Sequence, residues 1–393
     1  MIPAYYEFYN PVKINAGDGA LETIPYELGQ MNAAKPLIIT DKGVVKNGLL
    51  EIVLNAFRDS EIVIGAVYDD TPPDSSLVVV NEITALYHKS GCDSIIALGG
   101  GSSIDTAKGV NIAVSEKTND IATFMGADRL KSTPRPFVVI PTTAGTGSEV
   151  TLVAVINDTE NHVKLPFTSY RLLPNLAVLD PRMTMTLPPK ITAMTGMDAL
   201  THAVEAFTCM QKNPISDAYA TVAISLISKN IMSATKPNAK KETRFAMANA
   251  ATMAGVAFSN SMVGAVHAIG HACGAIARVP HGMAMSILLP HVMEFNMDKL
   301  EDLYAKLLLH LTDEETYAKT FQSQRAKKAI QRIVEMRKEL YDIAGLPFTL
   351  RGAGVTEEQF AKIAELAMND GAMLPNPKIL TTADVIGILK KAY

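Results

Sequence analysis

CDSIIALGGGSSIDTAK, residues 92–108, decides the fold. Its β-branched, apolar run ends in three glycines, Gly99, Gly100 and Gly101, and the following SIDTAKGVNIAV (103–114) has helical spacing. A strand that passes through a glycine turn into a helix is half of a βαβ unit. Ser102 or Ser103 can cap that helix, and backbone N–H groups at a helix start attract phosphate. The turn is not the usual dinucleotide fingerprint, because Ile104 stands at its third glycine position, and it is not a P-loop, because no Gly-Lys-Ser/Thr follows. Alone, it suits a tight structural turn as well as a phosphate site.

The alternation continues on both sides. KPLIIT (35–40), EIVIGAVY (61–68), PFVVIPTT (136–143), LVAVIND (152–158) and NLAVLD (175–180) read as strands, with helices at VVKNGLLEIVLNAF (44–57) and SLVVVNEITALYHKS (76–90) between them. Strands alternating with helices predict a mainly parallel sheet covered on both faces. From LPPK (187–190) strand signals stop and Ala-, Leu-, Ile- and Met-rich helical periods run to Tyr393. The expected plan is an α/β N-terminal domain over 1–185 and an all-helical domain over 186–393. A second glycine turn, IPTTAGTGSEV (140–150), repeats the first, with hydroxyls at Thr142, Thr143, Thr146 and Ser148 and glycines at 145 and 147. Two such strand ends suit the floor and wall of one nucleotide site. In IITDKG (38–43), Asp41 stands where a carboxylate could meet a ribose, although a helix cap is the plainer reading of a single Asp.

The helical half carries a different chemistry. Asp198 and His202 lie four apart in GMDALTHAVE, and His267, His271 and His281 fall within HAIGHACGAIARVPHG. Residues four apart share a helix face, so each i, i+4 pair can aim two donors at one point, and His281 follows a Pro-containing turn that can close the shell. Three imidazoles and a carboxylate suit iron(II) or zinc(II), whereas calcium or magnesium would require more oxygens. The residues between His267 and His271 are Ala, Ile and Gly, so the general-base Glu of a zinc-protease motif is missing. Spacing does not say which histidine stays free to move protons.

Composition narrows the function class. With 393 residues the chain has length for two cores, and a net charge of −4 supplies no basic field for nucleic acid or an anionic membrane. Three scattered cysteines fit reduced thiols better than a disulfide framework, and MIPAYYEFYN lacks the character of an export leader, so a cytoplasmic protein is expected. Residues 245–277 contain no Lys, Arg, Asp or Glu, but Asn249, Ser259, Asn260, Ser261 and two histidines argue for buried helices rather than a membrane span.

Together, GGGSSIDTAK, PTTAGTGSE, LAVLDPRMTMTLPPKITAMTGMDALTHAVE and HAIGHACGAIARVPHG resemble the iron-dependent (group III) alcohol dehydrogenases over nearly the whole chain. The resemblance implies a dinucleotide-binding domain, a helical metal domain, and oxidation of small alcohols or diols, or reduction of aldehydes, with NAD in preference to NADP. The Met-, Ala- and Leu-rich helices also allow an oligomer interface, and a homo-oligomer is expected. By the same resemblance Asp198, His202, His267 and His281 match the metal ligands, with iron(II) as the occupant and zinc(II) as the alternative, and His271 matches the unliganded catalytic histidine. Cofactor contacts carry over to Gly99, Gly100, Gly101, Ser102, Asp105, Thr142, Thr143, Thr146 and Ser148, with Thr151, Val155 and Lys164 toward the nicotinamide. Asp41 matches the position whose carboxylate repels a 2′-phosphate. Val153 and Phe258 match the substrate pocket, where Val153 and Ala372 replace polar or bulkier residues of some relatives, so the substrate does not carry over. Pro73-Asp74-Ser75 departs from the family's Pro-Asn-Pro.

Related polyol dehydrogenases and sugar-phosphate cyclases that retain NAD share the two-domain plan. A phosphorylated substrate would call for a basic cluster, and Lys164 and Arg278 are the few candidates. A metal-dependent scaffold leaves the two glycine turns unexplained. Replacing Asp41 by Gly is expected to improve NADP use, read as the ratio of kcat/KM for the two cofactors; an unchanged ratio refutes the assigned role.

Overall fold

A computed structural model describes residues 3–159 and 163–393. Its contacts divide the chain into an α/β unit, Asn10–Thr186, and a helical unit, Leu187–Tyr393, joined by the N-terminal segment up to Tyr9. That segment departs from the expected domain start at residue 1. The Tyr9 N–H donates to Asn260 Oδ1 at 2.7 Å and the Phe8 ring stacks on Tyr219, which tie it to the helices.

The strands of the α/β unit are β1 (Lys13–Ala16), β2 (Pro36–Ile39), β3 (Ala66–Tyr68), β4 (Ser94–Gly99), β5 (Gly126–Ala127), β6 (Phe137–Pro141), β7 (Val153–Asp158), β8 (Val163–Thr168) and β9 (Leu176–Leu179). Its helices are α1 (Ile24–Gln30), α2 (Lys42–Lys46), α3 (Leu49–Asn55), α4 (Leu77–Ser90) and α5 (Gly101–Glu116). Six strands form one sheet in the order β1-β9-β6-β4-β2-β3, with every pairing parallel. Side chains alternate between its two cores. Leu37, Ile39, Ile95 and Ala97 pack with Val80, Ile83, Ile104 and Ala107 of α4 and α5. Ile38, Ile96 and Leu98 pack with Leu28, Leu49 and Val53 of α1 and α3. Each fully buried Ile contributes roughly 1.5–3 kcal/mol, which is why these strands read as continuous apolar runs.

Three expectations change. LVAVIND does not join the parallel sheet: β7 pairs antiparallel with β8 in a small second sheet of order β5-β8-β7. Only the last three residues of EIVIGAVY form a strand, and the helix expected over 44–57 is two, because Gly48 sits in the left-handed region at φ 74° between α2 and α3.

The helical unit comprises α6 (Pro189–Thr208), α7 (Pro214–Thr235), α8 (Lys241–Ser259), α9 (Ala265–Ala277), α10 (His281–Leu311), α11 (Glu314–Lys319), α12 (Gln322–Ala344), α13 (Phe360–Met368) and α14 (Thr382–Ala392). Among the described residues no helix is long and apolar enough to cross a membrane. The uncharged stretch 245–277 forms much of α8 and α9, with Ala250, Ala254, Val266 and Ile269 in the interior. At the start of α10, Gly282 lies against the backbone of α6: a Cβ there would come within 2.5 Å of the Met194 carbonyl oxygen. Gly282→Ala is therefore expected to lower stability by about 1–3 kcal/mol through overpacking against an immovable backbone, measured by denaturant unfolding; wild-type stability would refute the close approach.

Candidate metal centre and dinucleotide cradle

The helical unit collects four candidate ligands from three helices. α6 supplies Asp198 and His202 one turn apart, α9 supplies His267, and α10 begins at His281. Arg278 ends α9 in the left-handed region at φ 55°, and Pro280 precedes α10, so a tight reversal delivers His281 beside His267. The ligating atoms of Asp198, His202, His267 and His281 all lie within 4.8 Å of one another. From Asp198 Oδ1 the nearest imidazole nitrogens are at 3.2 Å in His281 and 4.0 Å in both His202 and His267.

Three of these polar atoms are enclosed without a hydrogen-bond partner: Asp198 Oδ1, His202 Nδ1 and His267 Nε2. At 3.2 Å the Asp198–His281 pair is close but not aligned as a hydrogen bond. Leaving a buried polar atom unpaired costs on the order of 1–3 kcal/mol, so three converging on one point are an arrangement that a cation would complete. Ionisation agrees with that donor set. Burial pushes the Asp198 carboxyl up, but the facing His202, His281 and His267 outweigh it and hold the group well below the usual carboxylate range. Burial drives the His202 imidazolium down to about 3 and lowers His267 well below the ordinary histidine value, in each case against the pull of Asp198.

A supporting carboxylate escaped the sequence reading. His267 Nδ1 lies 2.5 Å from Glu205 Oε2, and Glu205 Oε1 accepts the Val266 N–H at 2.7 Å. A hydrogen on Nδ1 leaves Nε2 as the ligand atom and fixes the ring. Burial pushes Glu205 up to about 7, against the pull of the Val266 and Gly264 N–H groups. The signal was present, since Glu205 follows His202 by three and Asp198 by seven and so shares their helix face.

His271 stands apart from the cluster of four. Its side chain is 43% exposed where that of His267 is 3% exposed, and its Nδ1 lies 2.8 Å from Asp370 Oδ2. Asp370 also accepts the Ala372 N–H at 2.8 Å, which anchors the carboxylate. It lies 99 residues from His271 in sequence, and no spacing pattern could have paired them. Phe258 lies flat on His202, with centroids 4.3 Å apart, and Ala372 is buried.

The α/β unit brings both glycine turns together. Starting from β2, the strand order turns outward to β3 on one side and to β4, β6 and β9 on the other, so the topological switch lies between β2 and β4. Asp41 follows β2 and Gly99 ends β4, one on each side of that switch. Asp41 caps α2, with Oδ1 accepting from Gly43 N at 2.8 Å and Val44 N at 3.0 Å, while Oδ2 accepts from Ser103 Oγ at 3.3 Å. The cap is thus real, and the second oxygen faces the glycine turn. Thr142 N–H donates to the Gly99 carbonyl at 3.0 Å, joining the turns. A Cβ on Gly100 would meet Thr143 at 3.2 Å, and one on Gly101 would meet Thr146 at 3.0 Å. Ser148 N–H donates to Thr146 Oγ1, and Ser102 Oγ donates to the Pro73 carbonyl.

The remaining candidates lie along the second sheet. The Asp105 carboxylate accepts the Val155 N–H at 3.0 Å, and Thr151 Oγ1 accepts from the buried ammonium of Lys108 at 3.1 Å. Val153 is half-buried on β7, and Lys164 is exposed on β8 opposite Asn157.

The comparisons with known proteins agree with this assembly of parts. A family model described as iron-containing alcohol dehydrogenase matches residues 11–181, and one described as the C-terminal part of the Fe-containing alcohol dehydrogenase family matches residues 192–393. Over 379 residues the chain is 35% identical to the 1,3-propanediol dehydrogenase of Klebsiella pneumoniae, covering 96% of both proteins. It is 34% identical to the NAD-dependent methanol dehydrogenase of Bacillus methanolicus, covering 98% of this chain and 99% of that relative. A crystal structure of 1,3-propanediol oxidoreductase is similar with a TM-score of 0.94 at 34% identity, covering 99% of this chain and 100% of that one. The chain belongs to the iron-containing alcohol dehydrogenase family. It is an oxidoreductase of the alcohol dehydrogenase type.

Glu205→Ala is expected to weaken metal retention by about 10–100-fold, measured by competition with a chelator, while Glu205→Gln, which keeps an acceptor for His267, loses less. Equal retention in both variants and wild type would refute the supporting role.

Proposed function

We propose that this protein interconverts small primary alcohols or diols and their aldehydes with NAD(H), using a divalent metal held by Asp198, His202, His267 and His281. The observation that carries the reading is the convergence of three unpartnered buried donors beside His281. Iron is the proposed occupant, in keeping with the family; zinc suits the same nitrogen and oxygen donors and is favoured by intrinsic affinity, so supply decides the occupant. When bound, the metal supplies Lewis acidity toward the alcohol or carbonyl oxygen, and the nicotinamide supplies the site that takes or gives a hydride.

The chain's own residues do the rest. Gly99, Gly100 and Gly101 leave room for a pyrophosphate at the start of α5, whose backbone N–H groups point outward there. Asp41 Oδ2 favours a free ribose hydroxyl over a 2′-phosphate, and hence NAD over NADP. Thr142, Thr143 and Thr146 offer hydroxyls on the neighbouring turn. Asp370 accepts the Nδ1 hydrogen of His271 and so leaves Nε2 free to accept a proton and pass it to solvent. The partial exposure of His271 supports that role, because a proton carrier must reach water. Relatives named for 1,3-propanediol and methanol support small uncharged substrates. The flat Phe258 ring beside His202 adds an apolar surface next to the candidate ligands, which favours a hydrocarbon chain over a charged one.

Metal removal followed by anaerobic restoration with iron(II) or zinc(II) tests the proposal, with NAD reduction followed over C1 to C6 alcohols and diols. Activity should vanish on chelation and return with iron(II). No activity with any metal, alcohol or aldehyde would refute it. His271→Ala should lower turnover by about 10²–10⁴-fold with metal content unchanged; loss of metal in that variant would make His271 a ligand instead.

A further inference from the structure

β7 is an edge strand of the small sheet, paired there with β8 and bridged on its other side at Asn157 to Ser76, so alternate backbone groups along the rest of that side need partners from outside the sheet. Those groups belong to residues 151, 153, 155 and 157. Lys108 of α5 takes two of them: its Nζ donates to the Thr151 and Val153 carbonyls, both at 2.8 Å, and to Thr151 Oγ1 at 3.1 Å. Asp105, one turn earlier on α5, accepts the Val155 N–H at 3.0 Å. The Ser75 carbonyl accepts the Asn157 N–H at 2.7 Å.

The choice of charged groups for this task is unusual. Lys108 is fully buried and all three of its ammonium hydrogens are spent on this edge. Asp105 keeps Oδ1 enclosed with no partner. Burial drives Lys108 down to about 8 and Asp105 up to about 6, so the molecule tolerates a desolvation cost that a hydrophobic contact would avoid. What the charges supply is strong, directional bonds to three successive alternate residues. The side chains of Ala154 and Ile156 point into the core, whereas Val153 and Val155 are only half-buried on the opposite face. Lys108 and Asp105 therefore fix, from the helix that begins at the phosphate turn, the strand face that carries the expected nicotinamide-side residues.

We propose that Lys108, with Asp105, is a positioning residue for the nicotinamide end of the cofactor, locking β7 to the helix whose first turn binds the pyrophosphate; Asp105, which the family resemblance offered as a direct cofactor contact, acts in this reading through its bond to the Val155 N–H. The inference rests on the NAD reading above. It makes binding of the nicotinamide, but not of the adenosine diphosphate ribose portion, depend on a buried residue whose ammonium is spent on Thr151 and Val153.

Comparing NAD with ADP-ribose, which lacks only the nicotinamide, tests it by calorimetry on the full-length, metal-loaded protein. In Lys108→Met the Kd for NAD should rise about tenfold, the scale of a lost charge-assisted hydrogen bond, while that for ADP-ribose stays within about twofold. Equal weakening of both ligands, or of neither, overturns the proposal. If Lys108→Met does not fold, the Asp105 variants decide: Asp105→Ala should lose NAD selectively, and Asp105→Asn, which retains an acceptor for the Val155 N–H, should restore it. Equal NAD affinity in those two variants also overturns the proposal. A wild-type protein that binds neither ligand refutes the NAD reading itself, which separates that failure from this one.

Discussion

The cost of burying Asp198 Oδ1, His202 Nδ1 and His267 Nε2 without partners constrains the helical unit around them. Such atoms are tolerated only where the surrounding packing holds them in place or where a ligand repays the desolvation. The packing is plain in this unit. Glu205 locks the His267 ring through Nδ1, Phe258 stacks on His202, and Gly282 lets the start of α10 approach α6 so that His281 comes within 3.2 Å of Asp198. An all-helical frame suits this task, because backbone hydrogen bonding is satisfied locally and the inward side chains are free to converge.

The α/β unit solves a different problem with a different device. The inner strands β2, β4, β6 and β9 of its parallel sheet are apolar on both faces, and two adjacent ones, β4 and β6, stop in glycine- and threonine-rich turns. Gly100 and Gly101 lie against Thr143 and Thr146, so hydroxyl donors and backbone N–H groups share one small region beside the topological switch. The second sheet is held to that region by the buried side chains of Lys108 and Asp105, together with one backbone bridge at Asn157. A charge buried for this purpose is costly, and the geometry it enforces is correspondingly narrow.

Much of this was legible in the chain. Short apolar, β-branched runs alternating with helical periods separated the α/β half from the helical half; the i, i+4 spacing in GMDALTHAVE singled out two residues that converge, whereas that in HAIGHACG paired His267, which joins them, with His271, which does not. The misreadings have physical causes. LVAVIND has the same apolar pattern as a parallel core strand, and only its antiparallel neighbour, VKLPFT, removes it from the main sheet. The helix expected over 44–57 broke at Gly48, where a left-handed residue overrode the surrounding helical pattern. Asp370 could not be paired with His271 from sequence, since helix periodicity relates residues within a turn or two and not across 99 positions.

Sequence by itself determined which residues are chemically equipped: the carboxylate and histidines at helical spacing, the glycines at strand ends, and a net charge unsuited to nucleic acid. These follow from local rules, because side-chain period and turn preference act over a few residues. Tertiary structure decided which of those residues meet. It grouped His281 with Asp198 and left His271 outside the cluster on Asp370, it joined the two glycine turns through neighbouring parallel strands, and it turned Lys108 inward onto β7. Convergence of groups from separate elements depends on how helices and strands pack, and packing is a property of the whole interior rather than of any window of sequence.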